Sequence, residues 1–131
     1  MAYENHLTPP ITLEAAADLS AQQYRFVKLD TNGRVAAIAA VTDIPVGVLQ
    51  NKPTGLGEMA EILVVGITKV RGDVDLARGN QIGCSVDGEA APYVAGTDTT
   101  KYIVGQILED NSAAGGLCTA LINCANPHRA A

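Results

Sequence analysis

TNGRVAAIAAVTD (residues 31–43) and VDGEAAPYVAGTD (residues 86–98) each carry a glycine near the start, a run of small apolar residues and a terminal Thr-Asp. The match holds in register: Gly33 and Gly88, Ala36 and Ala91, Ala40 and Ala95, and Asp43 and Asp98 all lie 55 positions apart. Other landmarks keep the same order around it. Asp18-Leu19 recurs as Asp75-Leu76, Gly47 as Gly105, and Gly57 as Gly116, with separations of 57, 58 and 59 that small loop insertions would produce. Several ordered landmarks at one period mark a tandem duplication.

Each copy reads as short strands. Asn32-Gly33 and Asp87-Gly88 are two-residue hairpin signals, for which a type I′ turn with two left-handed residues is expected. YRFVKLD (24–30) and RVAAIAAV (34–41) flank the first turn, although the first of them separates its polar and apolar faces poorly. IPVGVLQ (44–50), the loop NKPTGLG (51–57) and one long strand, EMAEILVVGITKV (58–70), complete the first copy. NQIGCSV (80–86), TKYIVGQILED (100–110) and LCTALINC (117–124) follow the same plan. DLSAQQ (18–23) suits a single helical turn. The expectation is a mainly β fold, a small barrel or sandwich of two hairpin-led repeats of about 50 residues, approximately 18–70 and 75–124. Gly33, Gly88, Gly47 and Gly105 are its structural turn glycines.

Composition narrows the function. The 131 residues suit one domain, 18–124, whose core must be aliphatic because aromatics make up 4% and Trp is absent. A net charge of −5 with scattered basic residues argues against nucleic acid, which requires a concentrated basic face. No run approaches the ~20 apolar residues of a membrane span, and no signal-peptide pattern opens the chain, so it reads as cytosolic in origin. The three cysteines, Cys84, Cys118 and Cys124, lack metal or disulfide spacing and read as buried thiols.

No catalytic constellation is legible. His6 and His128 fall in the presumed tails, and Glu58/Glu61 and Glu109/Asp110 read as solvated carboxylates. The RGD at residues 71–73 reads as a turn. No enzyme, cofactor, metal or small-molecule substrate is expected. Residues 1–17 differ from the rest: Pro9-Pro10 forces extended backbone, and Tyr3, Leu7, Ile11 and Leu13 space apolar groups along it. Such an arm either adds a strand to a partner's sheet or packs on its own core. Tyr3, Leu7, Pro9, Pro10, Ile11 and Leu13 are therefore the candidate partner-binding residues, and 125–131 is a C-terminal tail.

ADLSAQQYRFVKLDTNGRVAAI (17–38), DIPVGVLQNKPTGLGEMAEILVVGITKV (43–70), and DGEAAPYVAG (87–96) with YIVGQILED (102–110) resemble the small capsid decoration, or cement, proteins of tailed bacteriophages. The resemblance implies a non-enzymatic virion component made in the host cytoplasm, a homotrimer on the outer capsid surface that clamps adjacent subunits of the major capsid protein. A β-barrel ligand- or receptor-binding module of a phage head fibre is the alternative, with Tyr93 and Tyr102 as its available aromatics.

Overall fold

The computed structural model describes residues 2–4 and 9–131. Its strands are β1 (Ile11–Glu14), β2 (Phe26–Leu29), β3 (Val35–Ala37), β4 (Gly47–Leu49), β5 (Met59–Leu63), β6 (Val65–Arg71), β7 (Gln81–Cys84), β8 (Ala90–Pro92), β9 (Tyr102–Ile103), β10 (Gly105–Glu109), β11 (Leu117–Asn123) and β12 (His128–Arg129). They form two five-stranded antiparallel sheets, ordered β1-β5-β4-β2-β3 and β6-β11-β10-β7-β8, and a ribbon of β12 on β9. The two orders are the same topology written twice. Neither sheet closes into a barrel, so the fold is the sandwich form of the expectation.

The repeat extends to single hydrogen bonds. Ala15 N–H donates to Glu58 O and Ala16 N–H to Val35 O; Gly72 N–H donates to Gly116 O and Asp73 N–H to Ala90 O. Each sheet curls until its edge strands touch at one isolated parallel bridge, Ala15 to Val35 in the first and Gly72 to Ala90 in the second. Gly57 and Gly115, at φ of 85° and 81°, make equivalent bonds to Ala15 O and Gly72 O. The structural partner of Gly57 is thus Gly115, not Gly116.

The expected long strand at 58–70 is two strands meeting at Val64, and β5 and β6 belong to different sheets. The first unit therefore runs from β1 to β5 and the second from β6 to β11. By topology β1 corresponds to β6, so Ile11–Glu14 is a regular member of the first unit.

Both turn glycines have positive φ, 74° at Gly33 and 82° at Gly88, but the turn differs from the expected one. Asn32 and Asp87 are not left-handed. Gly33 N–H donates back to Asp30 O and Asp30 N–H to Arg34 O, while Ser85, Gly88 and Glu89 repeat the pattern. This is a type I turn followed by a left-handed glycine bulge. Asp30 favours it by accepting from the amides of Asn32 and Arg34 through Oδ1.

The terminal Thr-Asp of the opening stretches also acquires a role. Asp43 Oδ2 accepts from the amides of Ala39 (2.9 Å) and Ala40 (3.0 Å) and from Lys28 Nζ (2.9 Å). Asp98 accepts from the Val94 amide at 2.8 Å and from Lys101 Nζ at 3.2 Å. Each aspartate ties down the loop after its hairpin. Desolvation pushes the Asp43 carboxyl upward, but Lys28 and the two amides outweigh it and hold the group below 3.8. The Val94 amide and Lys101 lower Asp98 in the same way. A depressed folded-state pKa stabilises the fold above the unfolded value, and that stabilisation disappears as pH falls through the folded one. Urea midpoints are expected to drop below about pH 4, and a D43N/D98N variant to show a shallower acid decline. An unchanged pH profile would remove these loops from the stability balance.

The core explains the blurred periodicity of YRFVKLD. Val27 and Phe26, adjacent in β2, are both fully buried but in different clusters. Val27 lies inside the curl of the first sheet with Ala15, Leu19, Val35, Leu49 and Ile62. Phe26 points the other way, with Ile38, Val48 and Leu63, into the main core lined by Ile82, Ile107 and Ile122 of the second unit. A strand buried on both faces cannot alternate polar and apolar residues. DLSAQQ is a hydrogen-bonded turn, Gln22 N–H to Leu19 O, that drops Leu19 into the first curl as Leu76 enters the second.

Candidate docking surface

The N-terminal candidates divide between the two units. Tyr3 is 44% exposed, and its N–H donates to Thr119 Oγ1 at 2.8 Å; Glu4 pairs with Lys69 at 3.5 Å, so this end lies over the second sheet. Leu7 falls outside the described residues. Pro9 is exposed and Pro10 half-buried as the chain enters β1. Ile11 pairs with Ile62 and Leu13 with Ala60 in antiparallel register on β5. Of the two fates open to the segment, Ile11–Glu14 takes the second, packing on its own core with Leu13 against the first cluster. Ile11 nonetheless keeps 42% of its surface exposed at the rim.

Beside β1 lies a groove of about 440 Å³ lined by Thr12, Glu14, Asn32, Gly33, Arg34 and Met59. It is the wedge left where β1 and β3 diverge from their single bridge. Alternation of the ladder turns the Ala15 amide toward β5 and the Glu14 amide away from it, into the groove. An ion pair between Arg34 and Glu14 (3.4 Å) crosses the gap at the surface. Gly33 is exposed here, whereas Gly88 is buried. Gly47 and Gly105 stand at equivalent starts of β4 and β10 and permit close strand approach: a Cβ on Gly105 would lie 2.5 Å from Leu121 O, and one on Gly47 would collide with Leu63 O.

Features read as inert acquire places. Arg71 ends β6 with its guanidinium on Gly115 O (2.8 Å), and Gly72 forms the sheet bridge, so the RGD tripeptide is held within the fold. Asp73, Asp87 and Glu89 converge with ligand atoms within 4.8 Å, a trio invisible in a sequence that separates them; Arg25 lies beside it, 3.9 Å from Glu89. Glu109 and Asp110 share Arg78 at 2.9 and 3.4 Å. His128 belongs to β12 and borders a hollow of about 280 Å³ lined also by the amides of Gln81, Gln106, Asn123 and Asn126. The expected tail is therefore ordered, with Ala130 fully buried beside Tyr93 and Ile103.

Tyr93 is only 7% exposed, and its hydroxyl donates to Cys84 O, which removes it from any exposed aromatic platform. All three cysteines are buried free thiols. Burial pushes Cys84 and Cys118 up to about 11 and Cys124 up to about 12, leaving little thiolate at neutral pH. Cys84 does not share the environment of Leu29, its counterpart in the repeat: Leu29 is 46% exposed, while the Cys84 Sγ lies 3.6 Å from Asp43 O, under the first unit's loop.

No protein-family model matches the chain, and no curated protein sequence matches it. Solved structures do match its fold along nearly the whole length. The head fiber gp8.5 N base of bacteriophage phi29 superposes with a TM-score of 0.65 at 21% identity, over 88% of this chain and 93% of that one. A chain of the capsid of Myoviridae phage XM1 superposes with a TM-score of 0.61 at 17% identity, over 93% of this chain and 88% of that one. At these identities the similarity establishes the shared fold.

Proposed function

We propose that the chain is a non-enzymatic structural component of a bacteriophage virion. It acts as a homotrimer that decorates the outer capsid surface and clamps adjacent major capsid subunits. The observation that carries this reading is the end-to-end fold similarity to a phage head fibre base and a phage capsid chain. The resemblance of residues 17–124 to decoration proteins points the same way. Three linked copies would engage three lattice sites together, so weak contacts would sum by avidity. The protein needs neither cofactor nor small-molecule substrate for this work, and nucleic acid and membrane are not its partners.

Co-sedimentation with purified expanded heads tests the proposal. Because Leu13 of β1 and the following Ala15 pack into the first cluster, a truncation probing the grip must stop before β1. Full-length protein is expected to pellet with heads, and protein lacking residues 1–9 to bind much more weakly while remaining folded. Failure of the full-length chain to bind would reject decoration; equal binding by the truncated chain would move the grip away from the N-terminus. The phi29 match also favours a second reading, a receptor- or ligand-binding module of a head fibre. Retention on a glycan array would support it, and an array without hits would count against it.

A further inference from the structure

The contact between the two units uses one groove of the second unit and one face of the first. Among the described residues, its repeat-related counterparts lie open. In the second unit, the segment Tyr24–Phe26 fills the wedge beside β6: Arg71 N–H donates to Tyr24 O at 2.8 Å and Phe26 N–H to Gly88 O at 2.7 Å. Arg25 reaches Asp87 O at 3.3 Å, and the loop before β4 covers Cys84 through Asp43.

The repeat carries each of these groove positions onto the first unit. Arg71 corresponds to Glu14, Asp87 to Asn32, Gly88 to Gly33 and Glu89 to Arg34, which are lining residues of the open groove beside β1. A Cβ built on Gly88 meets Phe26 O at 2.7 Å and Arg25 Cβ at 3.5 Å; one built on Gly33 has nothing within 4 Å among the described residues. Cys84 is covered, and its counterpart Leu29 is 46% exposed. One copy of the groove is filled and the other is open.

The filling face also has an exposed duplicate, in which Gly79 O accepts from Gln106 Nε2 at 3.3 Å and keeps a second lone pair for another donor. Tyr24 has φ of 63°, the one non-glycine left-handed residue among those described, and its counterpart Gly79 has φ of 86°. Their amides make equivalent bonds, to Leu49 O and Ile107 O. Asn80 stands where Arg25 does, and the loop at 93–98 repeats the one that covers Cys84, with Val94 61% exposed on it. Gly79 is exposed and Asn80 partly so.

We propose that the groove beside β1 receives the second unit of another copy of this chain, joining copies head to tail. Gly79 O accepts from the Glu14 amide as Tyr24 O accepts from Arg71. Asn80 lies over Asn32 and Gly33, and the 93–98 loop covers Leu29 with Val94. The Arg25–Glu89 pair of the filled contact is replaced there by Asn80 and Arg34, so those two positions bring no like charges together. Such a heterologous contact either closes a ring or extends a filament. Three two-unit chains in a ring would place six similar units around one axis.

The contact depends on the internal repeat and not on capsid binding, so head-binding assays are a separate readout. Light scattering over a concentration series is expected to show species heavier than the monomer; a monomer at every concentration would overturn the proposal. Mixing Gly33→Cys protein with Asn80→Cys protein under mild oxidation is expected to give a cross-linked dimer that neither gives alone, the native thiols being buried. The Arg25–Gly88 Cβ separation is within disulfide reach, so the equivalent pair should bridge. Cross-links within a single-variant sample, with no mixed species when the two variants are combined, would instead indicate a two-fold contact and overturn the head-to-tail arrangement. Leu29→Asp, at an exposed position, is expected to abolish the heavier species with an unchanged circular dichroism spectrum; persistence of the oligomer would count against this surface.

Discussion

Phe26→Ala is expected to lower the unfolding free energy by about 3–5 kcal/mol, the usual cost of emptying a large aromatic site in a closed core. Phe26 is the chain's only phenylalanine, is fully buried, and sits where β2 faces the second unit. Its side chain belongs to the cluster that draws Ile38, Val48 and Leu63 of the first unit together with Val70, Ile82 and Ile122 of the second. Truncation leaves a void at the junction of two sheets that cannot fill it without shifting against each other. The backbone bond from Phe26 N–H to Gly88 O survives the substitution, so the loss measures side-chain packing. Urea denaturation should show the midpoint falling with an unchanged slope, the sign of lost stability without altered compactness. A loss below about 1 kcal/mol would mean the site collapses freely, in conflict with close packing across the junction.

Gly88→Val and Gly33→Val should differ although the two glycines share a turn type and a φ near 80°. At Gly33 only the left-handed backbone opposes a side chain, a cost of about 1–3 kcal/mol, because the space beyond is open. At Gly88 the same strain applies, and the new Cβ would lie 2.7 Å from Phe26 O, a main-chain atom that cannot swing away. Displacing it adds an overpacking cost of about 1–3 kcal/mol. Thermal or urea unfolding of both variants checks the difference. Equal losses would imply that the junction yields at Gly88, contrary to the tight bond there.

The duplication was legible because loops carry its landmarks: Asp18-Leu19, Gly33, Gly47 and Asp43 recur at positions fixed by turn chemistry and loop capping. Equivalent strand residues were harder to read. Leu29 and Cys84 occupy one repeat position, but only Cys84 lies under a neighbouring unit, a difference imposed by tertiary packing. The division of 58–70 at Val64 was hidden because the crossing runs through Ile62, Leu63, Val64 and Val65, four apolar residues with no Gly, Pro or polar break among them. The turn type was missed because Asn-Gly suits both a two-residue turn and the longer one closed by Asp30 and Arg34. The groove beside β1 could not be read at all: it consists of what the second unit has and the first lacks, and only paired topology reveals the omission.

Val64 alone joins β5 to β6, so the chain passes from one sheet to the other with no spare length. A pull on either half therefore reaches the other at once, since nothing between them can straighten first. Any load must be borne by shearing the rungs of both ladders together. The midpoint of the chain is therefore an inextensible link.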